Sequence, residues 1–178
     1  MTPFEIELQV FQSGDFWYKI ILPLAIALFF SFLIGLERQN IGKSAGISAH
    51  ILIAVSTAFI GIIQLYMFEH QGGDSAADNQ RLIAQVLPGV GFIGAGVIMK
   101  GQKNIIGLTT AATIWATAMM GLVAGSGYIF TSLIFGTFLV SFIYLRDMKR
   151  GINPFIPHVH HDFNDDEDAS DDDIKRHA

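Results

Sequence analysis

Five long apolar runs follow one another along this chain: Tyr18–Leu36, Ile47–Phe68, Leu82–Met99, Gly107–Ala124 and Tyr128–Leu145. At the helical rise of 1.5 Å per residue, a run of about 18–20 residues spans roughly 27–30 Å, the thickness of a bilayer's hydrocarbon core. The expected fold is therefore all-α, a polytopic membrane protein with five transmembrane helices. Any function must be built from helix faces, short loops and two tails. Composition agrees: only 15% of residues are charged, where a soluble domain carries about 25%, and the mean hydropathy is +0.45.

The net charge of −5 is not spread over the chain. The excess of acid over base lies after Phe163, so the rest is near neutral and offers no field for nucleic acid. Cysteine is absent, which excludes disulfides, thiolate metal sites and thiol catalysis. Residues 1–17 carry Glu5, Glu7 and Asp15 but no Lys or Arg. A cleavable signal peptide needs a positive start, so the first apolar run reads as a permanent helix.

Cytoplasmic loops collect Lys and Arg. Here Arg38 and Lys43 follow the first run, Lys100 and Lys103 the third, and Arg146, Lys149 and Arg150 the fifth. The connection after the second run holds Glu69, His70, Asp74 and Asp78, and Gly125-Ser126-Gly127 after the fourth is uncharged. This asymmetry places the N-terminus outside and the C-terminus inside. Three parts are expected: an extracytoplasmic segment 1–17, a transmembrane domain 18–150, and an acidic, His-containing cytoplasmic tail 151–178 of disordered composition.

The fourth run repeats Thr109, Thr113, Thr117, Gly121 and Gly125 every four residues, which puts them on one helix face. Small and hydroxyl residues there point to close helix packing or, alternatively, to a polar lining for a solute path. The third run reads QVLPGVGFIGAGVIMK over Gln85–Lys100. Its GxGxxG string lacks the preceding strand and following carboxylate of a dinucleotide site. What remains is a glycine-rich helix with Pro88 inside it. It is expected to be kinked and closely packed, or unwound beside a binding site.

Gln85 sits one turn into that helix, and Glu37, Arg38 and His50 lie at the facing ends of the first two helices. They are expected to form an interfacial cluster, either structural or a contact for an ion or partner. His158, His160 and His161 with the tail carboxylates offer only weak, unspecific metal chelation. No catalytic constellation or P-loop is visible, so no enzymatic activity and no cofactor are expected.

With these residues laid out, the chain resembles the MgtC/SapB family of bacterial inner-membrane proteins. The resemblance rests on IGLERQNIGKSAGISAHILIA (Ile34–Ala54), on IAQVLPGVGFIGAGVIMKGQKNIIGLTTAATIWATAMMGLVAG (Ile83–Gly125), and on the five-span layout. It implies a multi-pass protein of the bacterial inner membrane tied to magnesium limitation or acid stress. It implies a regulatory protein acting on a membrane-protein partner, with a homo-oligomer left open. The alternative is a small oligomeric transporter or channel for magnesium or another small solute. A metal-responsive tail is a third reading.

The family motif marks Glu37, Arg38, Gly46, His50, Gln85, Gly91, Gly94, Gly96, Gly107, Thr110 and Trp115, beside the polar face of Thr109 and Thr113. Ser48, Pro88 and Ile106 depart from the usual pattern. The tail is expected to be disordered, unlike the folded cytoplasmic domain that many relatives carry after the last helix.

Overall fold

The computed structural model describes residues 3–70, 76–100 and 105–151. The helices are α1 (Pro3–Gln12), α2 (Leu22–Asn40), α3 (Ile47–His70), α4 (Ala76–Val97), α5 (Leu108–Gly125) and α6 (Ile129–Lys149). Between α4 and α5 lie two short strands, β1 (Met99–Lys100) and β2 (Ile105–Ile106), paired antiparallel with Met99 opposite Ile106. The fold is otherwise helical.

Four helical segments are long and apolar enough to cross a membrane: Trp17–Asn40, Ile47–Phe68, Leu108–Gly125 and Ile129–Lys149. The apolar part of α4, Leu82–Val97, is shorter than these. Large apolar side chains face outward, including Phe29 on α2 and Phe130, Ile134 and Phe138 on α6. The interior is lined by small and polar residues such as Ala54, Ala58, Thr117 and Ser132. That distribution suits a lipid solvent, where apolar surface outside costs nothing and interior packing depends on close approach.

Local chemistry sets the helix ends. A wide π turn, Trp17–Ile21, leads into α2, with the Leu22 N–H donating to the Trp17 carbonyl five residues back. Pro23 follows at once. It has no N–H and its ring crowds the carbonyl four residues earlier, so a widened turn at that point accommodates it. Gly42 ends α2 at φ +67°. The Lys43 N–H donates to the Arg38 carbonyl at 2.9 Å and the Gly42 N–H to the Gln39 carbonyl at 3.1 Å. Gly127 ends α5 in the same way, with the Tyr128 N–H donating to Val123 and the Gly127 N–H to Ala124. Both are Schellman closures, which need the left-handed conformation that glycine adopts without strain.

The centre of the bundle is a parallel contact between α3 and α5. A Cβ on Gly121 would overlap the Ala54 carbonyl oxygen, and one on Gly125 would overlap that of Ala58. Gly61 of α3 also lies close to the α5 backbone, its would-be Cβ 2.7 Å from the Leu122 oxygen. The four-residue repeat of α5 therefore packs helix against helix. Its hydroxyls turn inward on their own chain: Thr113 donates to the Thr110 carbonyl and Thr117 to that of Thr113, both at 2.8 Å. That arrangement favours the packing reading over a polar lining.

The other helices flank this pair. α2 runs antiparallel to α3, with Gly35 against Ile47. α6 runs parallel to α2, with Gly136 against the Phe30 ring and the Tyr144 hydroxyl donating to the Leu33 carbonyl at 3.3 Å. α4 is antiparallel to α5, with Gly94 against Ala111, and Gln64 of α3 accepts a bond from the Ile83 N–H at 3.2 Å. The helix of α4 continues through Pro88 from Ala76 to Val97, so no unwound segment forms there. Nor is it close-packed on every side as its glycines led one to expect. Gly89, Gly91 and Gly96 have open space where a side chain would be.

The two kinds of glycine predict opposite outcomes. Gly125→Leu forces α3 and α5 apart and lowers stability by about 1–3 kcal/mol or more. Gly89→Ala meets nothing and gains up to about 1 kcal/mol from helix propensity. Thermal unfolding of the detergent-solubilised protein distinguishes them; equal midpoints for Gly125→Leu and the parent would refute the α3–α5 contact.

Candidate functional site

The last turns of α2 and α6 place four ionisable side chains in a row. Glu37 and Arg38 are fully buried, and Asp147 is 1% exposed. Neighbouring residues on a helix point about 100° apart. Arg38 therefore curls back on Glu37, donating from Nε and Nη2 to the two carboxylate oxygens. Arg38 Nη2 also donates to Asp147 Oδ2 across the helix pair at 2.7 Å. Arg146 reaches the same carboxylate from its partly exposed side, Nε to Oδ1 at 2.8 Å and Nη2 to Oδ2 at 3.1 Å. The row alternates Glu37, Arg38, Asp147, Arg146 and sums to zero charge. A lone buried charge in a membrane protein is costly, whereas a neutral, hydrogen-bonded group of them is tolerated.

His50 opens α3 at the same end and is fully buried. Its Nδ1 lies 2.8 Å from the Gly46 carbonyl oxygen, an acceptor. Nδ1 therefore carries the proton, and in the neutral ring Nε2 is an acceptor. That Nε2 has no partner, and neither does the buried Arg38 Nη1. The expected cluster of Glu37, Arg38 and His50 is thus assembled at one end of the bundle, with Asp147 as its unforeseen centre. The signal for Asp147 was a single carboxylate inside the basic run Arg146–Arg150; its partner 109 residues away was not legible.

Beside this row lies a cavity of about 810 Å³, bounded by the α2–α3 turn and the start of α5. Its polar lining is Gln39, Lys43, Ser44, Ser48, Thr109 and Thr110. Thr109 is exposed there, whereas Thr110 is only 2% exposed. The remaining residues singled out from sequence lie elsewhere. Thr113 is buried in the helix packing, Gly94 sits against Ala111, and Trp115 is 42% exposed on the outside of α5. Gln85, Gly91 and Gly96 are on the exposed side of α4. The structure thus divides the candidates among a charge row, a cavity and an outer helix face. Among the described residues no group of three His, Cys, Asp or Glu is placed to hold a metal. His158, His160 and His161 lie outside the described residues.

The sequence pattern of a known family matches residues 24–150. The chain belongs to the MgtC family. The matched span runs from α2 to the end of α6 and includes the charge row and the cavity, leaving α1 outside. Relatives include YhiD of Escherichia coli (strain K12), whose name proposes a magnesium transporter. YhiD is 45% identical over 115 residues, which cover 61% of this chain and 52% of YhiD. SapB of Bacillus subtilis (strain 168) is 40% identical over 147 residues, 78% of this chain and 62% of SapB. MgtC of Brucella abortus (strain 2308) is 36% identical over 118 residues, 66% of this chain and 47% of that protein. This MgtC-family chain therefore spans about half to three-fifths of the length of these relatives. No solved structure matches it.

The charge row makes a graded prediction for this MgtC-family member. Arg38→Gln strands the buried Glu37 carboxylate, while Asp147 keeps Arg146, and lowers stability by about 3–5 kcal/mol. Asp147→Asn costs less, because Glu37 still neutralises Arg38. The double variant loses less than the sum of the two, since the bond at 2.7 Å between them is counted once. Reversible denaturant unfolding measures all three, and additivity within about 0.5 kcal/mol would mean that this bond contributes nothing.

Proposed function

We propose that the chain is a regulatory protein of the bacterial inner membrane that acts on other membrane proteins under magnesium limitation or acid stress. It crosses the bilayer five times, with α1 outside and the end of α6 in the cytoplasm. The alternating helix directions support this layout, because they bring Arg38, Lys43, Lys100 and Arg146–Arg150 to one end. α4 is the fifth span, its short apolar part extended by its first turns and shielded by α3 and α5.

The observation that carries the regulatory reading is the outer face of α4. Gln85, Gly89, Phe92 and Gly96 follow one another at helical spacing, and all are exposed. Phe92 is 82% exposed, and the space beside Gly89, Gly91 and Gly96 is open. Glycines that face no neighbour within the chain let another membrane helix come to backbone distance, and Gln85 supplies a bond across the contact. The occupant we favour is a spanning helix of a partner protein.

A second reading, a small oligomeric transporter for magnesium or another solute, is supported by the name of YhiD. The interior weighs against it. The α5 hydroxyls bond their own backbone, Glu37 and Asp147 are held by guanidinium groups, and no carboxylate lines the cavity among the described residues. A divalent cation leaving water requires several oxygen ligands with charge.

The test is a photo-crosslinking residue at Phe92, with one at Phe142 on the outside of α6 as control, in cells grown at low magnesium. The expected result is an adduct with another membrane protein from Phe92 alone. Gly96→Leu abolishes that adduct and the low-magnesium growth supported by the wild-type chain, while thermal stability is kept. An adduct only with a second copy of the chain, or wild-type growth with Gly96→Leu, would sink the partner reading. Magnesium flux into liposomes holding the purified chain would replace it with the transporter.

A further inference from the structure

The cavity at the charged end of the bundle is not used by the partner-binding reading, and its chemistry is distinctive. Two helices begin on its wall. Ile47, Ser48 and Ala49 of the first turn of α3 line it, as do Thr109 and Thr110 of the first turn of α5. First-turn N–H groups have no acceptor within their own helix, and α5 receives no side-chain cap, since its N-cap is Gly107. Both helices, of 24 and 18 residues, direct the positive ends of their dipoles at one space. This convergence follows from the parallel packing of α3 and α5.

The side chains add to the same field. Lys43 is the one charged residue on the lining among the described residues. Thr110 lines the cavity while only 2% exposed. Its hydroxyl makes no hydrogen bond; only its backbone carbonyl is used, by Thr113. Lys43, Ser44, Ser48 and Thr109 are likewise without side-chain partners. The Thr110 side chain is thus almost wholly covered by the protein while its hydroxyl stays open to the cavity. Here a set of donors converges on an open volume whose lining carries no anionic acceptor among the described residues, the Gln39 amide being neutral.

We propose that this cavity binds a phosphoryl-bearing anion. The N-termini of α3 and α5, the Lys43 ammonium and the hydroxyls of Ser48, Thr109 and Thr110 hold its oxygens. A cation is disfavoured by the dipoles, by Lys43 and by the lack of a lining carboxylate. A tetrahedral phosphoryl group suits donors arriving from two helices and from side chains at once. The volume of about 810 Å³ exceeds a bare phosphate and leaves room for an ester group against Ile47 and Ile106. Such a group can belong to the headgroup of an anionic phospholipid or to a soluble phosphate ester. The site stands whether the chain regulates a partner or moves a solute.

The purified full chain in phosphate-free detergent provides the test. Native mass spectrometry compares retention of phosphatidylglycerol with that of diacylglycerol, which has the same tails and no phosphate. Titration calorimetry with glycerol 1-phosphate probes a soluble ester. Lys43→Gln and Thr110→Val are each expected to weaken binding by about tenfold or more, the scale of one lost charge-assisted hydrogen bond. Lys43→Arg retains binding, and Lys149→Gln, a lysine off the cavity, leaves it unchanged. Retention of phosphatidylglycerol with this variant pattern assigns the site to lipid, and binding of glycerol 1-phosphate with the same pattern assigns it to a soluble ester. Binding of neither probe, or binding indifferent to Lys43→Gln and Thr110→Val in variants that unfold at the parent's temperature, would overturn the proposal.

Discussion

Backbone contact between α3 and α5 is the interaction on which the rest of the bundle depends. In lipid, apolar side chains gain nothing by leaving one hydrocarbon environment for another, so helices associate through close packing and hydrogen bonds. Gly121 and Gly125 remove the side chains that would hold the helices apart, and the backbone carbonyls of Ala54 and Ala58 lie against them. Because α4 intervenes between α3 and α5, the two central helices run parallel, and both start at the same end. The convergence of their N-termini on one cavity is a consequence of that contact.

The same end of the bundle carries its buried charge. Carboxylates in the last turn of a helix meet the negative end of its dipole, where cations are favoured instead. Glu37 and Asp147 both occupy such positions and are held there by Arg38 and Arg146. Arg38 serves both carboxylates, so the row ties α2 to α6 at a depth where neither acid has a place alone. α2 and α6 thereby close around the central pair, leaving the outer side of α4 as the part of the bundle with unfilled backbone space.

Much of this was legible in the linear chain, and the reasons differ by residue. Four of the five apolar runs predicted membrane-length helices to within a few residues, because run length and hydropathy respond directly to a lipid solvent; α4 begins six residues before its run, and α1 had no run to announce it. The repeat from Thr109 to Gly125 predicted a packed face or a polar lining, because its four-residue period is a local property of one helix; it packs from Thr113 onward, while Thr109 faces the cavity. Pro88 and the glycines around it were harder. They permit a break, but α4 stays helical, and which glycines are covered depends on where α5 passes. Gly94 meets Ala111, whereas Gly91, three residues away, meets nothing. Gln64, whose side chain fixes the α4 backbone, gave no signal inside a continuous apolar run.

Sequence by itself determined much of what each long apolar helix is: its approximate length, its small face, and the glycines at Gly42 and Gly127 that end two of them. These follow from lipid solvation and backbone sterics, which act on neighbours along the chain. Only the tertiary structure decided which polar groups meet. Arg38 joins Asp147 across 109 residues of sequence, and Lys43 shares a cavity with Thr110 of α5, the third helix after it. Periodicity reports which side of a helix is special. It does not report the helix that side faces, because that choice is made by mutual packing of all the helices at once.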